Sequence, residues 1–329
     1  MRLYKKAAAC LLTAAMAISM LTACGGGGTG GNGGGNTPGT LPDNSDQIVL
    51  PAPGEGGGEG GGEGGGEGTE TKPTKTPIID VNSSKLAQFK EKHAGATEFY
   101  VEMQMVEYDE DGSVEDSTVG CVAAKGNNVY MKATLSGKNQ KQQLIEELML
   151  KEFDYNNSYL LLRGSKVAVR TSSYKSQSDD NISLGTLITE KLPSQMWSTT
   201  VKVGPTEYYA EVYNAYSSEY TTCFTADGKP VYQFVRELNE KQLDRATLYK
   251  TIQAGSGTSK GLCTMPAGLK KYSVDFRTNT LTDANGNVFT IELQTNSEGD
   301  VTSVKVFDKD KKDVSDDFKW VYDFCKMYD

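Results

Sequence analysis

Residues 25–77 decide how much of this chain can fold. The stretch opens on Gly25-Gly26-Gly27-Gly28 and continues through Gly, Asn, Thr and Pro. It then enters a repeat of Glu plus three Gly, with Glu55, Glu59, Glu63 and Glu67, and closes on Lys72-Pro73-Thr74-Lys75-Thr76-Pro77. Read by composition, it offers no apolar surface to offset the entropy of ordering, so it is expected to be a disordered coil. Gly-rich coils span roughly 5–6 Å × √n, or about 40 Å over some fifty residues. The evenly spaced glutamates repel one another and keep such a coil open. About 250 residues follow it, enough for one large domain or a domain with a small appendage.

The residues before the coil read as an export leader. Arg2, Lys5 and Lys6 form a basic start, and Ala7 to Met20 is an apolar run too short for a comfortable membrane span. It ends in Leu21-Thr22-Ala23-Cys24, which resembles the lipobox of bacterial lipoproteins. The resemblance implies removal of residues 1–23 as a signal peptide, with cleavage between Ala23 and Cys24. It also implies diacylglycerol, carrying chains such as palmitate, on the Cys24 sulfur. Two acyl chains suffice for stable anchoring. The chain is therefore expected outside the cytoplasm at the cell surface, lipid-anchored to the membrane through residues 24–78. Cys10 falls in the removed leader.

Charge narrows the partners. Residues 1–78 carry five basic and seven acidic residues, leaving 29 basic against 36 acidic beyond them, a net charge of −7. That balance argues against nucleic acid and against anionic headgroups as bulk partners. Beyond the anchor lie Cys121, Cys223, Cys263 and Cys325. In an exported chain they are either two disulfides or four free thiols packed as small apolar groups. With no C-x-x-C pair and one histidine, His93, a Cys/His zinc site is not expected.

Along the rest of the chain the dominant period is two. Ser83 or Ser84 is expected to cap a short helix from Lys85 to His93. From Glu98, Phe99, Val101, Met103 and Met105 alternate with polar neighbours up to the Asp111-Gly112 turn. Hairpins are expected around Lys125-Gly126-Asn127-Asn128 and Arg163-Gly164-Ser165. Leu144 to Phe153 is ambiguous: its Glu/Leu/Met content suits a helix, its position a strand. Leu184 to Leu192 reads as a helix stopped by Pro193. Strands follow at 208–213, 220–224, 231–235, 246–252, 271–276, 288–293 and 301–307, and Ser315 is expected to cap a closing helix. The sum is a mainly β (α+β) fold: a curved antiparallel sheet or unclosed β-barrel with a few covering helices.

This order resembles the LolA-like and LppX/LprG-like lipoproteins. The features that carry it are the leading helix, the long strand from Glu98 and the Asn127-Asn128-Val129-Tyr130-Met131 hairpin. Beside them stand the Asn157 to Val169 stretch, the Asp227-Gly228-Lys229-Pro230-Val231-Tyr232 hairpin and the Leu262 to Leu269 close. The likeness covers about Lys85 to Tyr272, placing a LolA-like domain at 79–272, and implies an unclosed barrel around helices, with a cavity for a lipid or other hydrophobic ligand. Phe99, Val101, Met103 and Met105 are the expected ligand-facing residues. Residues 273–329 exceed the pattern, as hairpins plus a helix in the same domain or as a small appendage.

Catalytic signals are weak. His93 has no Ser, Cys or metal partner nearby and suits a helix C-terminus. Ser172-x-x-Lys175 lies after a strand and lacks the later Lys-Thr-Gly of penicillin-binding enzymes. Asp283, Asn285 and Asn287 fail the EF-hand pattern at Val288 and fit a hairpin turn better. Asp308, Asp310 and Asp313 read as solvated turn acids. Tyr208, Tyr209, Tyr213, Tyr216 and Tyr220 either face a ligand or pack in half-buried strands. Met103, Met105, Met131 and Met149 suit an adaptable cavity or a core equally well. No catalytic residue, metal site or cofactor is expected. The leading reading is a non-catalytic carrier, followed by a surface interaction lipoprotein with a filled core, and then by an enzyme.

Overall fold

The computed structural model describes residues 41–43, 45–53, 73–138, 142–175, 182–189, 192–215, 217–297 and 299–328. The leader, Cys24, residues 25–40 and the Glu-Gly repeat lie outside the described residues.

Two short strands, β1 (Ile48–Val49) and β2 (Thr76–Pro77), precede helix α1 (Lys85–Lys92). Ser84 caps α1, its side chain accepting from the Ala87 N–H. Then come β3 (Glu98–Tyr108), β4 (Val114–Lys125), β5 (Asn128–Gly137), β6 (Gln143–Glu152), β7 (Tyr155–Leu162) and β8 (Val167–Lys175), a meander in which each strand pairs antiparallel with the next. The ambiguous 144–153 stretch is thus strand β6. Its neighbours on both sides supply hydrogen bonds along its length, and that outweighs local helix propensity.

Helix α2 (Leu184–Ile188) follows, with a capping box between Ser183 and Thr186. It is shorter than the expected 184–192 helix, because Thr189 already has extended backbone. A second meander runs through β9 (Trp197–Val203), β10 (Thr206–Ala215), β11 (Ser218–Phe224), β12 (Pro230–Glu237) and β13 (Arg245–Ala254). Strand β13 then pairs antiparallel with β3 and joins the two meanders. A long connection carries the chain to β14 (Lys270–Asp275), which pairs parallel with β8, and on through β15 (Thr280–Asp283), β16 (Val288–Thr295) and β17 (Val301–Phe307). The result is one large curved sheet, mostly antiparallel. Among the described residues no pairing joins β17 to the β9 end, so the sheet is unclosed. Residues 273–329 therefore continue the same sheet.

Helix α3 (Trp320–Tyr328) closes the chain. Ser315 does not cap it. Ser315 opens a separate 3-10 turn, Ser315–Phe318, and its hydroxyl oxygen accepts from the Val306 N–H at 2.9 Å while its O–H donates to Asp313 at 2.6 Å.

Both faces of the sheet are covered. On the inner face, Leu86 and Phe89 of α1 and Leu184 and Ile188 of α2 pack with Phe99, Val101, Met103, Val122 and Val129. Gly185 permits the close contact between the helices, since a Cβ there would lie 2.6 Å from the Lys90 carbonyl oxygen. Farther along the same face, Trp320, Val321 and Phe324 of α3 pack with Leu135, Ile145, Leu160 and Val169. On the outer face the 255–269 connection covers Tyr130, Leu148, Tyr159 and Leu161 through Cys263.

The remaining outer cover corrects the expectation for residues 25–77. Leu41 and Ile48 are buried with Val106, Tyr108, Val201 and Phe234. Strands β1 and β2 both pair with β9, at Ile48↔Val203 and Thr76↔Ser198. The apolar Leu41 and Ile48-Val49-Leu50 are few, but β9 offers an unpaired edge that they complete. Charge fixes the same segment. Glu219, 1% exposed, pairs with Arg236, whose Nε donates to it at 2.9 Å, and with Lys75 at 2.6 Å. Arg236 Nη2 also donates to the Pro51 carbonyl at 2.8 Å.

Candidate functional site

Of the four expected ligand-facing residues, three lie in one packed cluster. Phe99 and Val101 are 0% exposed and Met103 is 9% exposed, beneath side chains of α1 and α2. A buried carboxylate holds α1 there. Glu211 on β10 is 0% exposed and accepts from the Lys85 N–H at 2.7 Å, the Leu86 N–H at 2.9 Å and the Tyr209 hydroxyl at 3.0 Å. These are the N–H groups that a helix start leaves without intrahelical partners, and a negative charge suits that end. Met105 is half-buried and stands outside the cluster.

Cys121, Cys223, Cys263 and Cys325 are all free thiols. Cys325 belongs to the α3 cluster, Cys223 to the cluster under Leu41 and Cys263 to the outer cluster, which Cys121 flanks. Burial raises the Cys223 thiol far above its usual range, the Cys263 thiol to about 11 and the Cys121 thiol to a lesser degree. Cys121, Cys223 and Cys263 are therefore protonated packing groups at neutral pH.

The other sequence candidates are structural. His93 ends α1 with its ring 4.5 Å from that of Phe89, and burial, with help from Lys92 and Lys229, lowers its pKa. Asp283 accepts from the N–H groups of Asn285 and Asn287 and from Asn287 Nδ2, all within the β15–β16 turn. Asp308 does the same for Asp310 and Lys312, and Asp313 for Ser315. Tyr213 stacks on Tyr220 with centroids 5.2 Å apart, and Tyr208 meets Tyr232 edge-on at 5.3 Å, so these tyrosines pack against the sheet. Tyr216 lies outside the described residues. Ser172 and Lys175 stand three residues apart on β8, and so point to opposite faces.

Three arrangements appear only in the fold. The carboxylates of Glu107, Glu115 and Asp116 come within 4.8 Å of one another across the β3–β4 pair. On the inner face, Glu147 of β6 stands opposite Met131 of β5 and Leu160 of β7, with Met149 next on the same face. Met131 packs against both inner clusters, which makes this the seam between them. Burial in that apolar seam pushes the Glu147 carboxyl up to about 7.

The third is a groove of about 640 Å³ on the outer face, where β6, β7 and β8 extend past the 255–269 cover. Glu152, Phe153, Tyr155, Asn157, Arg170 and Ser173 line it. Register sets the lining: Asn157 pairs with Ser173 on one side and Leu150 on the other, and Tyr159 pairs with Arg170. Glu152 accepts from Lys271 Nζ at 2.9 Å, the Tyr159 hydroxyl at 2.8 Å and Asn157 Nδ2 at 2.8 Å. Burial alone would raise its pKa, but these bonds, led by Lys271, hold it below the ordinary value. Asn157 is 5% exposed, and its Oδ1 accepts no hydrogen bond among the described residues. Phe153, at the hairpin tip, is 98% exposed with φ +55°.

No family model matches the chain, and no curated protein matches it.

Proposed function

We propose that this chain is an exported lipoprotein, cut before Cys24 and lipidated there, whose folded part is a non-catalytic binding module at the outer face of a membrane. The Leu21-Thr22-Ala23-Cys24 tetrapeptide supports the anchor. Among the described residues no helix is long and apolar enough to cross a membrane. The curved, unclosed sheet with helices on its inner face accords with the LolA-like resemblance. The observation that carries the choice of binding mode is the occupation of the Phe99–Val101–Met103 face by α1 and α2. With that face filled by the protein's own side chains, recognition falls to the outer groove. The carrier reading keeps one foothold, the Met131–Glu147–Met149 seam, which would suit an amphiphile with a hydrogen-bonding head.

Two measurements test the reading. Radiolabelled palmitate should enter the wild-type chain and not Cys24→Ala; equal labelling removes the anchor. Native mass spectrometry of the protein from its own membranes should show covalent lipid alone. A second, non-covalent amphiphile, lost in Glu147→Leu, would replace the filled-core module with the carrier.

A further inference from the structure

We propose that the outer groove binds an acidic saccharide, a sugar chain bearing carboxylates. The inference rests on reading this face as the binding surface, and it names the chemistry of the occupant.

The groove is open and shallow, and its exposed lining is mostly apolar, with polar groups of Asn157, Arg170 and Ser173 among its six residues. Such a shape suits a ligand that lies along the surface with one face apolar and its edge rich in hydroxyls. A pyranose ring has this form. Phe153 supplies the apolar platform. In the Phe153-Asp154 hairpin loop only the first residue has positive φ, the place where a two-residue turn favours glycine. A bulky aromatic there is conformationally disfavoured and, fully exposed, gains nothing from packing. Tyr155, half exposed, extends the platform.

The polar edge is matched by the floor. Asn157 Oδ1 is buried and unmatched among the described residues, so a hydroxyl that reached it would satisfy an acceptor that folding leaves short. Ser173 adds an exposed hydroxyl.

Charge selects the acidic form. Arg170 is exposed and forms no ion pair among the described residues, and Lys175 stands opposite Tyr155 in register. The neighbouring carboxylate, Glu152, is already taken by Lys271, Tyr159 and Asn157. Arg170, Lys175 and Lys271 against Glu152 and Asp154 leave one net positive charge around the groove, on a chain with a net charge of −9. A guanidinium fork holds a carboxylate through two parallel bonds.

The test is calorimetric titration of the full-length lipidated chain in detergent with three probes: tetragalacturonate, the neutral galactose tetramer and a tetraglutamate peptide. Tetragalacturonate should bind at least tenfold more tightly than either control. Arg170→Gln should weaken it about tenfold and remove most of its salt dependence. Phe153→Gly should weaken it comparably while the Tm holds or rises, which separates loss of the platform from loss of the fold. Equal binding of the neutral tetramer, or of tetraglutamate, would overturn the acidic-saccharide assignment. If that binding still fell in Phe153→Gly, the groove would stand as the binding surface with a different ligand. Failure of all three probes at millimolar concentration would overturn both assignments.

Discussion

Glu147 shows how much a single side chain owes to its surroundings. In sequence it is one glutamate of the Glu146-Glu147 pair; in the fold its neighbour Glu146 faces outward and is held by Arg163 and Tyr130, while Glu147 sits in the apolar seam. Its carboxyl is raised from 4.5 to about 7, so between those values the folded state holds a proton that the unfolded chain has lost. The associated stability is fully present below pH 4.5 and is lost as pH rises through 7. Glu147→Gln should abolish that part of the pH dependence and stabilise the protein at pH 8 by on the order of 2 kcal/mol, as read from urea titrations at pH 5 and pH 8. An unchanged pH profile would show that the seam is wetter than its neighbours imply. At the hairpin tip, Phe153→Gly should raise stability by up to about 1 kcal/mol, because glycine adopts positive φ without a Cβ clash. Glu211 is the opposite case: Glu211→Ala strips the first N–H groups of α1 of a buried charged acceptor, and should cost about 2–3 kcal/mol.

At the scale of elements, the N-terminal segments are the clearest departure from expectation. β1 and β2 lie on either side of the Glu-Gly repeat in sequence, and both add to β9. On the proposed lipidation at Cys24, residues 25–40 separate the anchor from Leu41, a length of chain that spans at most ~60 Å when fully extended. Deleting 55–67 should leave the Tm unchanged within a degree or so, whereas deleting 41–53 should lower it by several degrees. The second deletion uncovers Val201, Val203 and Phe234 and removes the Pro51 carbonyl from Arg236. Glu219→Ala is a sharper version. It leaves Arg236 and Lys75 buried without their shared carboxylate, and should cost about 3–5 kcal/mol. A loss under about 1 kcal/mol would show that the N-terminal segment detaches freely.

For the whole molecule, the β8–β14 parallel pair and the α3 cluster make the C-terminal segment part of the main sheet. The two tryptophans sit far apart in the strand order, Trp197 on β9 and Trp320 on α3. Trp197→Phe and Trp320→Phe leave one reporter each. Their denaturation curves should coincide, since the unbroken sheet and shared core make unfolding cooperative. Separate midpoints would mark the 273–329 region as an independent unit.

Much of the strand inventory could be read from local pattern. Alternation from Phe99, the Gly-Asn turns and the Asp-Gly hairpins each arise within a few residues, and period-two burial with turn chemistry is a local property. Ser84 as a cap and Phe99, Val101 and Met103 as one apolar face were legible for the same reason. β9 was not, because the polar Ser198-Thr199-Thr200 stretch gives a weak apolar signal of its own and is held as a strand by partners on both sides. What covers an apolar face is a long-range matter. The sequence could define the Phe99 face but not whether a ligand or α1 fills it, because α1 is held over that face by Glu211 of β10, a residue distant in the chain. The outer groove was equally invisible: Phe153, Asn157 and Arg170 come together through the registers of three strands, and register depends on every pairing in the sheet. The amino-acid order alone determined the lipobox resemblance, the acidic balance and the β-rich character, since each is a property of contiguous residues. Only the tertiary structure decided that Leu41 and Ile48 belong to the core, that the four cysteines lie in separate surroundings with no disulfide between them, and which carboxylate has its pKa raised, because burial is set by neighbours distant in the chain.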